Sequence, residues 1–334
     1  MSSINKPFLN YKEQIKRLSI KGISCNSPEE KKILIRKGYF NLVNGYKKPF
    51  VINKDDNNEH IYIKDTSIEK LYQVMKFDRR LSSLILKNVT HVEEEIRSVT
   101  AYKFQQICQS QLSDWTSIDV YDLKVSVGER QKLIEDIKED IKLAKKNRNK
   151  YLLHYSQNST KDNDLPFWVI IKLIRFTTLS TIIKFSKKEL RTYLCNLYDI
   201  EYISASNDYR ILEGALNWLR KTRNACAHME RIIYLEDRST VVITKYHKLL
   251  TSAYIRRGRK KQIVDLLIFL KYFNTKIEYI NLINHLINYI NEIGKIVGPE
   301  VKDNIRASLG IRNIEHLKII KEQPKSIKYL QLIN

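Results

Sequence analysis

Arg223, Asn224 and His228 stand together in the run RNACAH. Cleaving RNA without a metal needs three things: a base to take the 2′-OH proton, an acid for the departing 5′-oxygen, and a cation for the charge building at phosphorus. Histidine titrates near neutrality and serves as acid or base. Arginine offers a permanent forked guanidinium to a pair of phosphate oxygens. Asn224 and His228, at i and i+4, share a helix face, so the amide is placed to orient the ring. Arg223 and His228, five residues apart, lie roughly 140° apart around an ideal helix. One copy therefore encloses a phosphate poorly, whereas a two-fold homodimer with two copies face to face encloses it well. A second reading stays open, in which the trio is a hydrogen-bonded core network.

The Arg-x4-His spacing alone is weak, since a chain with seven His meets it by chance, and Arg148 with His154 fits a similar pattern. Context favours the first pair, because Trp218, Leu219, Ala225 and Ala227 give its helix a packing face with small residues beside the polar ones. Arg148 and His154 fall where a Lys-rich helix runs into a polar loop. In HVEEEIR, the acids Glu93, Glu94 and Glu95 with Arg97 are candidates to orient the Arg or His, although such a run also reads as a solvated helix face. His91 with Glu95 has metal-ligand spacing but no third ligand. The cluster RRGRKK (Arg256, Arg257, Arg259, Lys260 and Lys261) reads either as a phosphate contact or as a solvated helix start. Some of the 20 Tyr are candidates to stack on unpaired bases. The chain has no GxxxxGK[ST] and no GxGxxG, so nucleotide hydrolysis has no support.

The charge agrees with a polyanion as partner. Lys and Arg total 59 against 37 Asp and Glu, a formal net charge of +22, and phosphate neutralisation by such a surface releases counterions. The abundance of Lys, Asn and Ile offers the plainer explanation of an AT-rich coding sequence. Cys25, Cys108, Cys195 and Cys226 are far apart and form no CxxC pair, which argues against a structural zinc or a disulfide scaffold. The sequence calls for no cofactor. Its start lacks an apolar signal region and no apolar run reaches 18 residues, so a cytoplasmic protein without membrane contact is expected.

The elements that must position these residues are mostly helices, because 9 Gly and 6 Pro punctuate the chain sparsely. Periodicity and caps predict helices at 8–20, 27–37, 127–150, 167–186, 187–198, 207–229, 260–273 and 275–293, with a short helical tail. Residues 67–109 read as two long helices or one bent one. A hairpin or irregular loop is expected at 51–64, and β-branched alternation around EDRS predicts a small hairpin at 232–246.

In this order, the segments YKEQIKRLSIKGI, GYFNLVNGYKKPF, FDRRLSSLILKNVTHVEEEIRSVTAYKF, LPFWVIIKLIRFTTLSTIIKF and RKTRNACAHMERI resemble the Abi family of abortive-infection proteins, AbiD/AbiF-like, within the HEPN superfamily. The resemblance spans roughly residues 6–233. With the elements above, an all-α, HEPN-like helical bundle with extra helices and a minor β-hairpin is expected: residues 1–232 as the Abi/HEPN-like domain and 233–334, outside the resemblance, as a mainly helical extension with a short hairpin at its start. The resemblance itself implies the helical HEPN fold. It also implies phage defence, a metal-independent RNase site at Arg223, Asn224 and His228, and a small noncoding RNA partner that restrains the protein. Two further readings stand beside it: a noncatalytic module that holds a structured RNA, and a protein-interaction scaffold.

Overall fold

The fold is seen in a computed structural model that describes residues 8–56, 58–150, 152, 155, 165–203, 206, 208–256 and 258–323. His154 and Arg257 lie outside the described residues.

Helix α1 (Tyr11–Ile20) and helix α2 (Pro28–Lys37) both begin with capping boxes: Asn10 with Glu13, and Ser27 with Glu30. Gly38 ends α2 at φ 74°, a conformation that favours glycine. A π-helical turn, Phe40–Asn44, leads to the hairpin of β1 (Val51–Lys54) and β2 (His60–Tyr62).

Residues 68–110 form one helix, α3 (Ile68–Ser110), of 43 residues and about 65 Å. Its apolar stripe runs without a Pro or Gly to break it, and Ser67 caps its start. Most of the helices among the described residues are arranged around this rod or around helices packed on it. Helix α4 (Val127–Lys146) packs against α5 (Phe167–Leu173) and α6 (Phe176–Phe185), and α7 (Lys188–Leu197) also reaches α3. The apolar run 167–186 is split into α5 and α6 because buried Asp140 accepts from Arg175 N at 2.9 Å and Thr178 Oγ1 at 2.7 Å, capping α6 from another helix.

Helix α8 (Arg210–Ala227) runs antiparallel to α3, as its contacts at Glu93, Ser82 and Arg79 fall in descending order while α8 ascends. Beyond it come the short helix α9 (Lys245–Lys248), then α10 (Ile263–Phe273), α11 (Lys276–Val297), α12 (Pro299–Ser308) and α13 (Ile314–Glu322). Helix α11 lies along α3, and one hydrophobic core runs from Leu18 to Ile320.

The hairpin expected at 232–246 is not formed. Residues 232–234 make a 3-10 turn, with Ile232 and Ile233 buried and Ile233 N spent on Asp78 Oδ1 at 2.9 Å. The strand that does form, β3 (Asp237–Thr240), pairs instead with β4 (Lys260–Lys261), which arrives after α9. The minor hairpin of the fold is β1–β2. Among the described residues no helix is long and apolar enough to cross a membrane.

Candidate active site on helix α8

Helix α8 stops at its motif. His228 is the C-cap, Met229 follows at φ 56°, Met229 N donates to Cys226 O, and Glu230 N donates to Ala225 O. These are the two bonds of a Schellman ending, here with Met where Gly is usual, a conformation that costs on the order of 1 kcal/mol. The turn is held from α3, where Arg79 Nη1 donates to Met229 O at 2.6 Å. The ring of His228 is exposed, and among the described residues it has no side-chain partner.

Arg223 is positioned differently. Its Nε lies 3.4 Å from Glu93 Oε2, and its Nη1 donates to Asn224 Oδ1 at 3.3 Å. Glu93 is buried and also accepts from Arg97 Nη2 at 2.5 Å. Arg97 Nη1 donates to the carbonyls of Ile171 and Ile174, the latter at 2.9 Å, and so caps the end of α5. One carboxylate thus holds two guanidiniums, tying α8 to α3 and α5. The side-chain amide of Asn224 is turned to Arg223 and, among the described residues, makes no hydrogen bond with the ring of His228. With His228 exposed and Arg223 half-buried, the trio is not a closed core network.

Among the three acids in HVEEEIR, Glu93 is the one that reaches the motif. Glu94 is exposed, 3.4 Å from Lys172, and Glu95 lies 3.5 Å from His91, whose Nε2 is 3.1 Å from Glu278. Helix phase carries the missed signal: Glu93 falls in the apolar stripe of Val89, Val92, Ile96 and Thr100, three and four residues apart. A charge in such a stripe needs a partner.

The chain leaving the motif is held by a second buried carboxylate. Asp78 accepts from Tyr46 Oη at 2.8 Å and from Ile233 N. Burial pushes its carboxyl up, and these two donors hold it back. Arg231 lies over Gly45 so closely that a Cβ there would meet its Nε at 2.8 Å. The segment GYFNLVNGY is therefore the seat of the chain after His228. Burial pushes the Cys226 thiol up to about 11, which leaves it no role as a nucleophile.

The basic cluster is dispersed. Arg259 donates to Asp265 through both Nη atoms, and fully buried Asp265 also meets His247 Nε2 at 3.0 Å. Lys261 is buried, with Nζ 3.0 Å from Ser239 Oγ and 3.9 Å from Asp237. Lys260 lies 3.6 Å from Glu236, and Arg256 is exposed. No group of three or more His, Cys, Asp or Glu gathers as a metal site among the described residues.

A family model described as Abi-like protein matches residues 32–234, from the middle of α2 through the turn seated on Asp78. No curated protein and no solved structure matches the chain.

Proposed function

Because the chain belongs to the Abi-like family of abortive-infection proteins, we propose that it is a HEPN-type, metal-independent endoribonuclease toxin acting in phage defence. The observation that carries this reading is the asymmetry within the motif. Arg223 is fixed by a buried carboxylate, while His228 stands exposed beyond the helix end, open to a substrate. Arg223 contacts the scissile phosphate, one His228 takes the 2′-OH proton, and His228 of a second copy protonates the 5′-oxygen. Met229 and Phe40, each 70% exposed, give the surface around the motif the apolar character of a homodimer face. A bound small noncoding RNA restrains the toxin, and the net charge of +22 suits such a partner.

The test is growth arrest on induced expression of wild type, Arg223→Ala and His228→Ala, with protein levels matched. Wild type arrests growth and both variants do not. Undiminished arrest by His228→Ala would overturn the nuclease reading. The net charge would then favour the second reading, a noncatalytic module holding a structured RNA.

A further inference from the structure

Trp115 and Trp218 are buried, as large aromatic side chains usually are, but Trp168 is 50% exposed and Tyr102 is 67% exposed. The two rings line one cleft of about 630 Å³ between α3 and α5, together with Gln105, Gln109 and Lys172. The side chains of Gln105 and Gln109 take no hydrogen bond among the described residues. Among the described residues, Lys172 is held by a surface pair with Glu94, which costs little to open. An aromatic platform, free amides with both donors and acceptors, and one cation are what an unpaired nucleotide requires: stacking for the base, hydrogen bonds for its edge, and charge for its phosphate.

The cleft is joined to the motif. Ile171 lines it, and the Ile171 carbonyl is bound by Arg97, whose other arm holds the Glu93 that positions Arg223. The face of α3 that lines the cleft also continues along the rod to a separate cleft. At 100° per residue, Arg79, Ser83, Thr90, Glu94, Ser98 and Gln105 fall within about 100° of arc on α3. The first four of these line a second cleft of about 1050 Å³ against α11, where Lys87 and His285 are exposed. That cleft reaches Arg79, whose guanidinium holds the turn after His228.

We propose that the Tyr102–Trp168 cleft seats an unpaired nucleobase of a single RNA strand that continues along α3 over Lys87 towards Arg79. This rests on the reading of the chain as RNA-acting and adds to it where, and in what form, the RNA is held. Helix α11, which lies beyond the family match, supplies one wall of the path and so gives that part of the chain a share in it.

Trp168 is its own reporter. The full-length His228→Ala protein is titrated with a single-stranded RNA of about twelve nucleotides, with the same RNA as a duplex, and with heparin, which has charge but no bases. Tryptophan fluorescence is read beside filter binding. The single strand quenches the fluorescence and the duplex and heparin do not. Trp168→Phe abolishes the quench, and Tyr102→Ala weakens binding about tenfold with an unchanged circular dichroism spectrum. RNA retained on the filter with Trp168 unquenched overturns the proposal and leaves the rings to a protein partner, and failure of the single strand to bind also overturns it. Cleavage by the wild-type protein is a separate readout, so RNA cut without quenching sinks this site alone, and quenching without cleavage sinks the nuclease reading alone.

Discussion

Glu93 meets Arg223 at 3.4 Å across the contact between α3 and α8, and the same buried carboxylate holds Arg97 at 2.5 Å. Removing it strands two guanidiniums, one of which caps α5. Glu93→Ala should therefore cost about 3–5 kcal/mol in chemical denaturation. Arg223→Ala leaves Glu93 paired with Arg97 and should cost clearly less. Equal losses for the two variants would contradict the arrangement.

Tyr46 Oη donates to Asp78, which also receives Ile233 N. Tyr46→Phe removes a side-chain donor to a buried carboxylate and should cost about 1.5–3 kcal/mol. The loss should appear as a lower Tm with secondary structure retained. It should also reduce toxicity, because the chain that it loosens follows His228 directly.

The basic cluster divides by burial. Arg259→Ala strips fully buried Asp265 of its guanidinium, leaving it His247 Nε2 and the backbone N–H of Gln262, and should destabilise the fold by about 3–5 kcal/mol. Lys260→Ala, at the surface, should stay within about 0.5 kcal/mol of wild type. If RNA touches this cluster, Lys260→Ala lowers the salt dependence of binding while stability is unchanged, and gel shifts at two salt concentrations measure it.

Lys271 is buried in α10, where its Nζ donates to the carbonyls of Gln323 at 2.8 Å and Lys321 at 3.2 Å. Burial pushes it down to about 8 from an ordinary 10.5. Below pH 8 the amine is charged in both states, and burying it costs stability. Between about 8 and 10.5 the folded protein has lost a proton that the unfolded chain keeps, so stability rises with pH in that window. The slope is bounded by about 1.4 kcal/mol per pH unit for one proton. Urea midpoints from pH 7.5 to 9.5 should rise for wild type relative to Lys271→Met, and parallel curves would contradict this.

Most helices were legible because their signals are local. Ser27-Pro-Glu-Glu writes its own capping box, and the stripe from Ile68 onward writes a helix. What sequence could not supply was long-range. The break between α5 and α6 depends on Asp140, and the turn at 232–234 depends on Asp78, 155 residues away. The partner of β3 arrives only at Lys260. At the site, the motif stood out by residue type, but choosing Glu93 over Glu94 and Glu95 required its phase against the neighbouring stripe. Arg259 and Lys261 read as surface charge because Asp265 and Asp237, which hold them, are ordinary acids in the sequence.

The central claim is that the exposed ring of His228 performs proton transfer in RNA cleavage. The most direct measurement incubates purified wild type and His228→Ala, matched for Tm, with end-labelled single-stranded RNA in EDTA and analyses the ends of the fragments. Attack by the 2′-OH predicts fragments with 2′,3′-cyclic phosphate and 5′-hydroxyl ends from wild type and, with the proton carrier removed, a rate at least about 100-fold lower for His228→Ala. Cleavage by the variant at the wild-type rate, or no cleavage by either protein, would contradict the claim.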